Sequence, residues 1–153
     1  DGDSASGAEI CCLLSALTNV PIKQGLAMTG AIDQHGHIQA IGGVNEKIEG
    51  FFDACKSMGL NGEQGVIIPW ANAGDLMLRE DVVAACASGD FTVNAVKTVN
   101  EALEVLTGRE AGEPDKDGRF PKNSLLGLAN SKATEFWTKS MSNPQRESEA
   151  VKD

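Results

Sequence analysis

The chain has 153 residues, of which 41% are hydrophobic and 23% are charged, so its composition is that of a folded protein and not of a disordered one. Its 13 Lys and Arg stand against 22 Asp and Glu, and the net charge of −9 argues against a nucleic-acid partner, which would require a basic face. No apolar run reaches the roughly 18 residues that a membrane helix needs, and no signal segment opens the chain, so we expect a soluble, cytoplasmic protein without a membrane partner.

The predicted elements indicate an α/β fold, or an intermixed α+β fold, because helices and strands interleave along the chain. In order they are a helix over 5–18, strands over 25–32 and 37–41 joined by a turn at 33–36, a helix over 45–58, a strand over 65–69, short helices near 73–78 and 81–87, a strand over 91–96, and helices over 99–106 and 123–141. The small residues that open the first helix, Ala5 to Ala8, would let another backbone approach closely. The residues from Ser142 onward are typical of a frayed end.

The charge divides the chain into two parts. Residues 1–108 carry 5 basic and 14 acidic side chains, whereas residues 109–153 carry 8 of each. The break lies where Gly and Pro are crowded, between Gly108 and Pro121, which is typical of a domain edge. The sequence therefore predicts a domain over 1–108 and a neutral C-terminal extension over 109–153.

The four cysteines favour free thiols over a metal or redox motif. Cys11 and Cys12 are adjacent, Cys55 and Cys86 stand alone, and no C-x-x-C pair occurs. This spacing gives no support to a zinc site or to a thioredoxin-type site. We expect buried thiols in a reducing compartment.

Ser4 is a candidate nucleophile because it directly precedes the first helix. Its hydroxyl would lie beside the unpaired N–H groups of the helix start, where an oxyanion can be held. The same place suits a turn or N-cap residue, and Ser6 with Glu9 spells a capping box, so we interpret Ser6 as structural. The Gly-Asp-Ser string also occurs in the GDSL esterases, but here the Leu that they require is replaced and no later Asp-x-x-His occurs.

The two histidines offer a weaker candidate site. His35 and His37 lie in or beside the predicted turn, where exposed polar residues are common. Together with Asp33 they could contact a metal ion. The pattern leaves both interpretations open.

Lys47 stands out because it lies at the edge of an apolar helix stripe. On a helical wheel it falls beside Val44 and Phe51, whereas the acidic residues of that helix point toward solvent. A half-buried lysine has a lowered pKa, because burial disfavours the charged form, and a neutral amine can act as a general base. The alternative is a snorkelling lysine, whose stem covers apolar surface while its ammonium group stays hydrated.

Three separated motifs together resemble the proteolytic domain of Lon proteases, and the resemblance covers residues 1–108. The motifs are Gly2-Asp3-Ser4-Ala5-Ser6, Met28-Thr29-Gly30 and Ile41-Gly42-Gly43-Val44-Asn45-Glu46-Lys47, followed in order by Val66-Ile67-Ile68-Pro69, Asn72, Asp75-Leu76 and Val96 to Leu103. The spacing from Ser4 to Lys47 is that of the Lon serine–lysine dyad. The Gly-Asp-Ser-Ala-Ser form is similar to that of the Lon-related ATP-dependent proteases, whose domain also continues into a segment like Gly118-Arg119-Phe120-Pro121.

The resemblance implies a Lon-type fold and a serine endopeptidase. Ser4 would be the nucleophile, Lys47 the general base and Thr29 the residue that orients the lysine amine, while Asp1 matches an acidic residue beside the site. The N–H of Ser4 and a neighbouring N–H would form the oxyanion site. The substrates would be unfolded polypeptides, cleaved inside a homo-oligomeric ring that the resemblance makes a hexamer.

The resemblance also implies parts that these residues do not supply. Lon domains contain strands before the serine motif, and the sequence has no Gly-x-x-x-x-Gly-Lys phosphate loop. We therefore expect a fragment of a larger chain, with ATP and Mg bound by an ATPase region elsewhere and with no cofactor or metal in these residues. Two alternatives to a peptidase are a non-catalytic assembly or substrate-holding module of the Lon fold and a small-molecule esterase.

Overall fold

A computed structural model describes residues 2–141 of the chain. Its elements are α1 (Ser6–Thr18), β1 (Leu26–Met28), β2 (Ala31–Ile32), β3 (Ile38–Gln39), α2 (Val44–Met58), β4 (Gly65–Pro69), a 3-10 helix (Trp70–Asp75), α3 (Glu80–Ser88), β5 (Thr92–Val96), α4 (Val99–Thr107) and α5 (Leu125–Met141). The interleaving of helices and strands confirms the predicted α/β class. None of the helices within residues 2–141 is long and apolar enough to cross a membrane.

A parallel sheet of three strands, in the order β1-β4-β5, lies at the centre of the fold. Leu26 is in register with Gly65, and Gly65 with Thr92, so the three strands begin at the same level and run in one direction. All five residues of the middle strand, β4, are buried, as its wholly apolar sequence predicts. Gly65 permits the close pairing with β5, because a Cβ there would lie 2.5 Å from the Thr92 carbonyl oxygen.

β4 also separates the core into two layers. Ile67 points to one face of the sheet, where it packs with residues of α1, α4 and α5 such as Leu103. Val66 and Ile68 point to the other face, where they pack with residues of α2 and α3 such as Phe52. This division follows from the alternation of side chains along a strand. As a result, α1 and α2 lie on opposite faces of the sheet.

The strand predicted over 25–32 is in fact two strands that belong to different sheets. β1 joins the parallel sheet, whereas β2 pairs with β3 in an antiparallel hairpin. The chain leaves the parallel sheet at Thr29 and Gly30. The Thr29 N–H still donates to the Ile67 oxygen of β4 at 3.0 Å, but the Gly30 N–H donates to the Ser4 oxygen at 2.8 Å. The bond to Ser4 redirects the backbone.

The segment between β4 and α3 also differs from the prediction. A 3-10 helix over Trp70–Asp75 replaces the helix predicted over 73–78, because the chain is already extended at Leu76 (φ −71°, ψ 122°). Polar contacts between Arg79 and α2 help to hold this extended segment. The Arg79 N–H donates to the Glu49 carboxylate at 2.9 Å, and the Arg79 guanidinium makes two hydrogen bonds to the Asp53 carboxylate.

The last described helix, α5, packs along α1. Ala111 and Leu125 are each 1% exposed and belong to the same core layer as Cys11 of α1. The predicted extension therefore shares a core with the first helix, and the boundary between 108 and 109 stays a prediction. The end predicted to fray, from Ser142, lies outside the described residues.

Candidate active site

Ser4 lies in the turn that precedes α1 and is bonded to the end of β1. Its carbonyl oxygen accepts hydrogen bonds from the Gly30 N–H at 2.8 Å and from the Thr29 hydroxyl at 3.3 Å. The Gly7 N–H donates in turn to the Gly30 oxygen at 3.0 Å. These bonds fix the start of α1 at the point where the chain leaves the parallel sheet.

The close approach of α1 to this point depends on a residue without a side chain. Gly7 is buried, and a Cβ there would lie 2.8 Å from the Gly30 oxygen and 2.9 Å from the Met28 Cε. Such distances are shorter than Cβ atoms show in proteins. The prediction that small residues at the helix start admit another backbone is confirmed at Gly7.

Lys47 reaches Ser4 from the first turn of α2. Its Nζ lies 3.0 Å from the Ser4 Oγ and 3.4 Å from the Thr29 Oγ1. The three residues come from the starts of two helices on opposite faces of the sheet and from the carboxyl end of β1. The structure therefore brings together the three side chains that the sequence singled out.

Thr29 connects the other two residues through the geometry of its hydroxyl group. A threonine hydroxyl has one proton to donate and lone pairs with which to accept. The Thr29 proton is directed to the Ser4 carbonyl oxygen, so the hydroxyl meets the Lys47 Nζ with a lone pair. An N–H of the lysine is thereby drawn toward Thr29.

Lys47 is more exposed than its place on the helix predicts. Its neighbours Val44 and Ile48 are 5% and 1% exposed, but Lys47 itself is an exposed residue. The helical wheel correctly placed the lysine at the border of the apolar stripe. The expectation of a half-buried side chain is therefore wrong for Lys47 among the described residues 2–141, and of the two alternatives it is the lysine with a solvent-exposed amine that agrees with the structure.

A pocket of about 300 Å³ opens beside the three polar side chains. The other residues that line it are apolar and come from the start of α1, from β1 and β4 and from α2: Ala5, Ala27, Met28, Ile48, Phe51, Val66 and Ile68. A few polar groups converging on an apolar pocket form the usual pattern of a substrate site. The sequence pattern assigned Phe51 to the core stripe and gave no sign that it also lines this pocket.

Two backbone N–H groups next to the Ser4 hydroxyl are free to bind an anion. Within residues 2–141, neither the Ser4 N–H nor the Ala5 N–H donates to another protein group. Both belong to the turn that begins α1, and the start of a helix favours negative charge. Ala5 is therefore the neighbour that could complete the predicted oxyanion site.

Residues 1–108 match the family model of the Lon protease (S16) C-terminal proteolytic domain. The chain belongs to this family. A "Putative Lon protease homolog" of Haemophilus influenzae is 43% identical over 145 residues, which cover 90% of this chain and 24% of that protein. An Escherichia coli protein with the same description is 54% identical over 106 residues, which cover 69% of this chain and 18% of that protein. A "Lon protease" of Xanthomonas oryzae pv. oryzae is 33% identical over 136 residues, or 86% of this chain and 15% of that protein.

Family membership confirms the resemblance that the three motifs predict, and it assigns the chain to a family of proteases. The chain spans less than a quarter of the length of each of these three relatives. The roles of Ser4, Lys47 and Thr29 stay predictions. Asp1, the acidic residue expected beside the Lon site, lies outside the described residues.

The histidines of this Lon proteolytic domain belong to the β2–β3 hairpin. The Asp33 carboxylate accepts the His37 N–H at 3.0 Å and the His35 N–H at 2.8 Å, and it contacts the His37 Nδ1 at 3.2 Å. These hydrogen bonds, above all that from the His37 N–H, lower the pKa of Asp33. The Asp33 carboxylate thus stabilises the turn of the hairpin. Among residues 2–141, no group of three metal-ligating side chains is placed to hold a metal ion.

Ser6 is structural, although not through the predicted capping box. Its hydroxyl donates to the Asp3 oxygen at 2.8 Å and accepts the Ile32 N–H at 3.0 Å, so it connects the helix start to β2. The residue before α1 is Ala5, whose side chain makes no capping bond.

The cysteines are free, as predicted, but they are not all buried. Cys11 and Cys55 are buried, whereas Cys12 is exposed and Cys86 is intermediate. Burial, followed by the neighbouring Cys12, raises the pKa of Cys11 to about 12. The prediction of a buried thiol is therefore wrong for Cys12.

Proposed function

We propose that this domain is a serine endopeptidase that cleaves unfolded polypeptides with Ser4 as the nucleophile and Lys47 as the general base. The observation that carries the proposal is the 3.0 Å contact between the Lys47 Nζ and the Ser4 Oγ in a chain of the Lon family. That distance is within the range over which a base can take a proton from a nucleophile.

In the first half of the reaction, the Ser4 Oγ attacks the carbonyl carbon of the peptide bond and its proton moves to the Lys47 amine, which has to be in its neutral form to accept it. The carbonyl oxygen becomes an oxyanion, which the N–H groups of Ser4 and Ala5 can stabilise. The C–N bond then breaks, and the Lys47 ammonium gives its proton to the leaving amine. An acyl group stays on Ser4.

In the second half, a water molecule attacks the acyl carbon and gives a proton to Lys47. The bond between the acyl carbon and the Ser4 oxygen breaks, the proton returns to that oxygen, and the carboxylic acid leaves. The same amine therefore acts once as base and once as acid in each half, so its direction relative to Ser4 matters at every step.

Thr29 would give the Lys47 amine this direction. A neutral amine has two N–H bonds and one lone pair, and the Thr29 oxygen offers it only an acceptor. One N–H is used on Thr29, which leaves the lone pair to face the Ser4 hydroxyl. A lysine base needs no third residue to fix a tautomer, in contrast to histidine.

The pocket beside Ser4 would receive an apolar side chain of the substrate. Apart from Ser4, Thr29 and Lys47, its lining is apolar, and a volume of about 300 Å³ is enough for a large side chain. An extended, unfolded polypeptide can present such a side chain, whereas a folded one buries it. The pocket therefore supports a polypeptide substrate over a small ester.

For the whole protein we propose ATP-dependent proteolysis by a cytoplasmic homo-oligomeric ring, a hexamer in the Lon pattern. The residues of this chain include no phosphate loop, so ATP and Mg would bind to another region. The described part of the neutral extension, residues 109–141, would share a core with the domain over 1–108, since α5 packs on the helix that begins after Ser4.

Two substitutions in the native full-length protein test the proposal. Ser4→Ala and Lys47→Ala should each abolish ATP-stimulated cleavage of casein, because each removes one partner of the dyad. Ser57→Ala, at the far end of α2, and Lys116→Ala, on an exposed loop, are matched controls that should cleave at the wild-type rate. Wild-type cleavage by either dyad variant would reject the assignment. An inactive wild-type protein that still assembles and holds casein would instead support the non-catalytic module.

A further inference from the structure

The start of α2 aims the catalytic lysine but has no cap of its own. It follows Gly42 and Gly43, and Gly43 adopts the left-handed conformation (φ 69°) without any side-chain capping bond. A Gly–Gly link is the most freely rotating connection that a chain offers. Lys47 is the fourth residue of the helix, and its N–H donates to the Gly43 oxygen at 3.1 Å. The direction of the lysine therefore depends on what fixes this link.

Asn72 fixes the chain on the N-terminal side of the link. It lies in the 3-10 helix after β4 and is 5% exposed. Its Oδ1 accepts the Ile41 N–H at 2.9 Å, and its Nδ2 donates to the Ile41 oxygen at 3.1 Å. This reciprocal pair copies the two bonds that a partner residue makes in an antiparallel ladder.

Asn45 fixes the chain on the other side of the link. It is the second residue of α2, its Nδ2 donates to the Asp75 oxygen at 3.2 Å, and its Oδ1 accepts the Met77 N–H at 2.9 Å. The chain on both sides of the Gly–Gly link is thus bonded through an amide side chain to one short segment, residues 72–77.

Residues 72–77 follow soon after β4 in the chain, and β4 is also bonded to Thr29. The Ile67 oxygen of β4 accepts the Thr29 N–H at 3.0 Å. Pro69, the last residue of β4, lies beside Gly30, since a Cβ on Gly30 would be 3.5 Å from the Pro69 Cγ. β4 is therefore the common support of Thr29 and, through Asn72 and Asn45, of Lys47.

We propose that Asn45 and Asn72 are positioning residues that hold the Lys47 amine within reach of Ser4, an inference that rests on the serine–lysine mechanism proposed above. Neither residue lines the pocket or bonds to Ser4, Thr29 or Lys47 through its side chain. They act on the chemistry only through the backbone on either side of the Gly–Gly link.

The main test compares Asn45→Ala with Asn100→Ala in the native full-length protein. Asn100 is a matched control because it is also the second residue of a helix, in the same Val-Asn-Glu context, and its Nδ2 also makes a hydrogen bond, to Glu113 at 2.7 Å. A misplacement of about 1 Å can cost about 100-fold in rate, so Asn45→Ala should lower kcat for a fluorogenic peptide roughly 10- to 100-fold. KM should stay within about twofold, since substrate binding is untouched. Asn100→Ala should keep the wild-type kcat.

A second measurement separates positioning from a general structural effect. In a Lys47→Ala background there is no amine to aim, so adding Asn45→Ala should leave the residual hydrolysis of an activated ester unchanged. Asn72→Ala should give the same two results, a lower kcat by itself and no further loss in the Lys47→Ala background, provided that its thermal midpoint shows a folded protein. Asn45→Ala carries the test by itself if Asn72→Ala does not fold.

Three outcomes would overturn the inference or its premise. Equal kcat values for the Asn45 and Asn100 variants, with Ser4→Ala inactive, would overturn the positioning role alone. A further loss of ester hydrolysis when Asn45→Ala is added to Lys47→Ala would also overturn the positioning role, because the effect of Asn45 would then not depend on the lysine. Full cleavage by Ser4→Ala would overturn the serine–lysine mechanism itself, and the positioning role with it.

Discussion

Replacing Gly7 by alanine tests whether the close contact between α1 and Gly30 governs the fold around Ser4. An added Cβ would lie 2.8 Å from the Gly30 oxygen, 2.9 Å from the Met28 Cε and 3.4 Å from the Ile38 Cδ1. The Met28 methyl can move, but the Gly30 oxygen accepts the Gly7 N–H at 3.0 Å and cannot retreat without losing that bond. The helix must therefore shift.

A second helical glycine provides the scale for this effect. Gly50 lies in α2, and a Cβ there would have no atom within 4 Å. Gly50→Ala should raise stability by about 1 kcal/mol, which is the difference in helix propensity between glycine and alanine. Gly7→Ala has the same gain in helix propensity, but overpacking should lower its free energy of unfolding by about 1–3 kcal/mol. The two variants should therefore differ in their free energy of unfolding by about 1–3 kcal/mol, and this difference measures the effect of the close contact at Gly7.

Urea unfolding of the 153-residue chain measures this difference, provided that both variants keep the wild-type m-value. In the native full-length protein, Gly7→Ala should also lower kcat for peptide cleavage, because Ser4 lies three residues before the shifted position. Gly50→Ala should leave kcat unchanged. If Gly7→Ala is as stable and as active as Gly50→Ala, the close contact at Gly7 does not govern the fold around Ser4.

Three further predictions address charge, thiol exposure and the pocket. Hydrogen bonds, first from Arg79, hold the pKa of Asp81 well below its ordinary value of 3.8, so the ionised carboxylate stabilises the fold above about pH 4 and this contribution is lost as the pH falls toward the lowered value. Asp81→Asn should therefore lower the urea midpoint at pH 7 and lose this difference in acid, and a difference that does not depend on pH would contradict the assignment. Iodoacetamide should label the exposed Cys12 of the native protein and not the buried Cys11, as read by mass spectrometry, and equal labelling would contradict the packing of α1. Ala27→Leu should narrow the pocket and raise KM for peptides with a large apolar residue beside the cleaved bond but not for those with alanine, and equal KM values would show that the pocket does not bind that side chain.

The parts of the fold that the sequence predicts well are those decided by local patterns. The apolar run of β4 and the stripe of α2 are visible in a few neighbouring residues, and so is the place of Lys47 at the edge of that stripe. The pairing of Lys47 with Ser4 is different, because 43 positions separate the two residues. Their meeting could be expected only from the resemblance of three separated motifs to one family.

The parts that the sequence does not predict depend on contacts between distant residues. The run over 25–32 has the pattern of one strand. Nothing within it shows that the Gly30 N–H will donate to the Ser4 oxygen, so that the residues after Gly30 pair in a second sheet. The helical wheel gives the direction of the Lys47 side chain but not what covers it, so it could not decide between a half-buried lysine and one with a hydrated amine. An asparagine such as Asn72 is ordinarily a surface residue, and only the fold shows that it is buried with its amide oxygen and its amide nitrogen each in a hydrogen bond.

The packing of α5 along α1 makes the unit that folds together longer than the segment that the family model matches. The family match ends at residue 108, but Glu110 and Ala111 accept the first N–H groups of α5, at Leu125 and Leu126. A chain cut at the end of the match would leave Cys11 and its neighbours facing water on the very helix that begins after Ser4. A graft of Ser4 and Lys47 into another protein would therefore have to carry α5 with it.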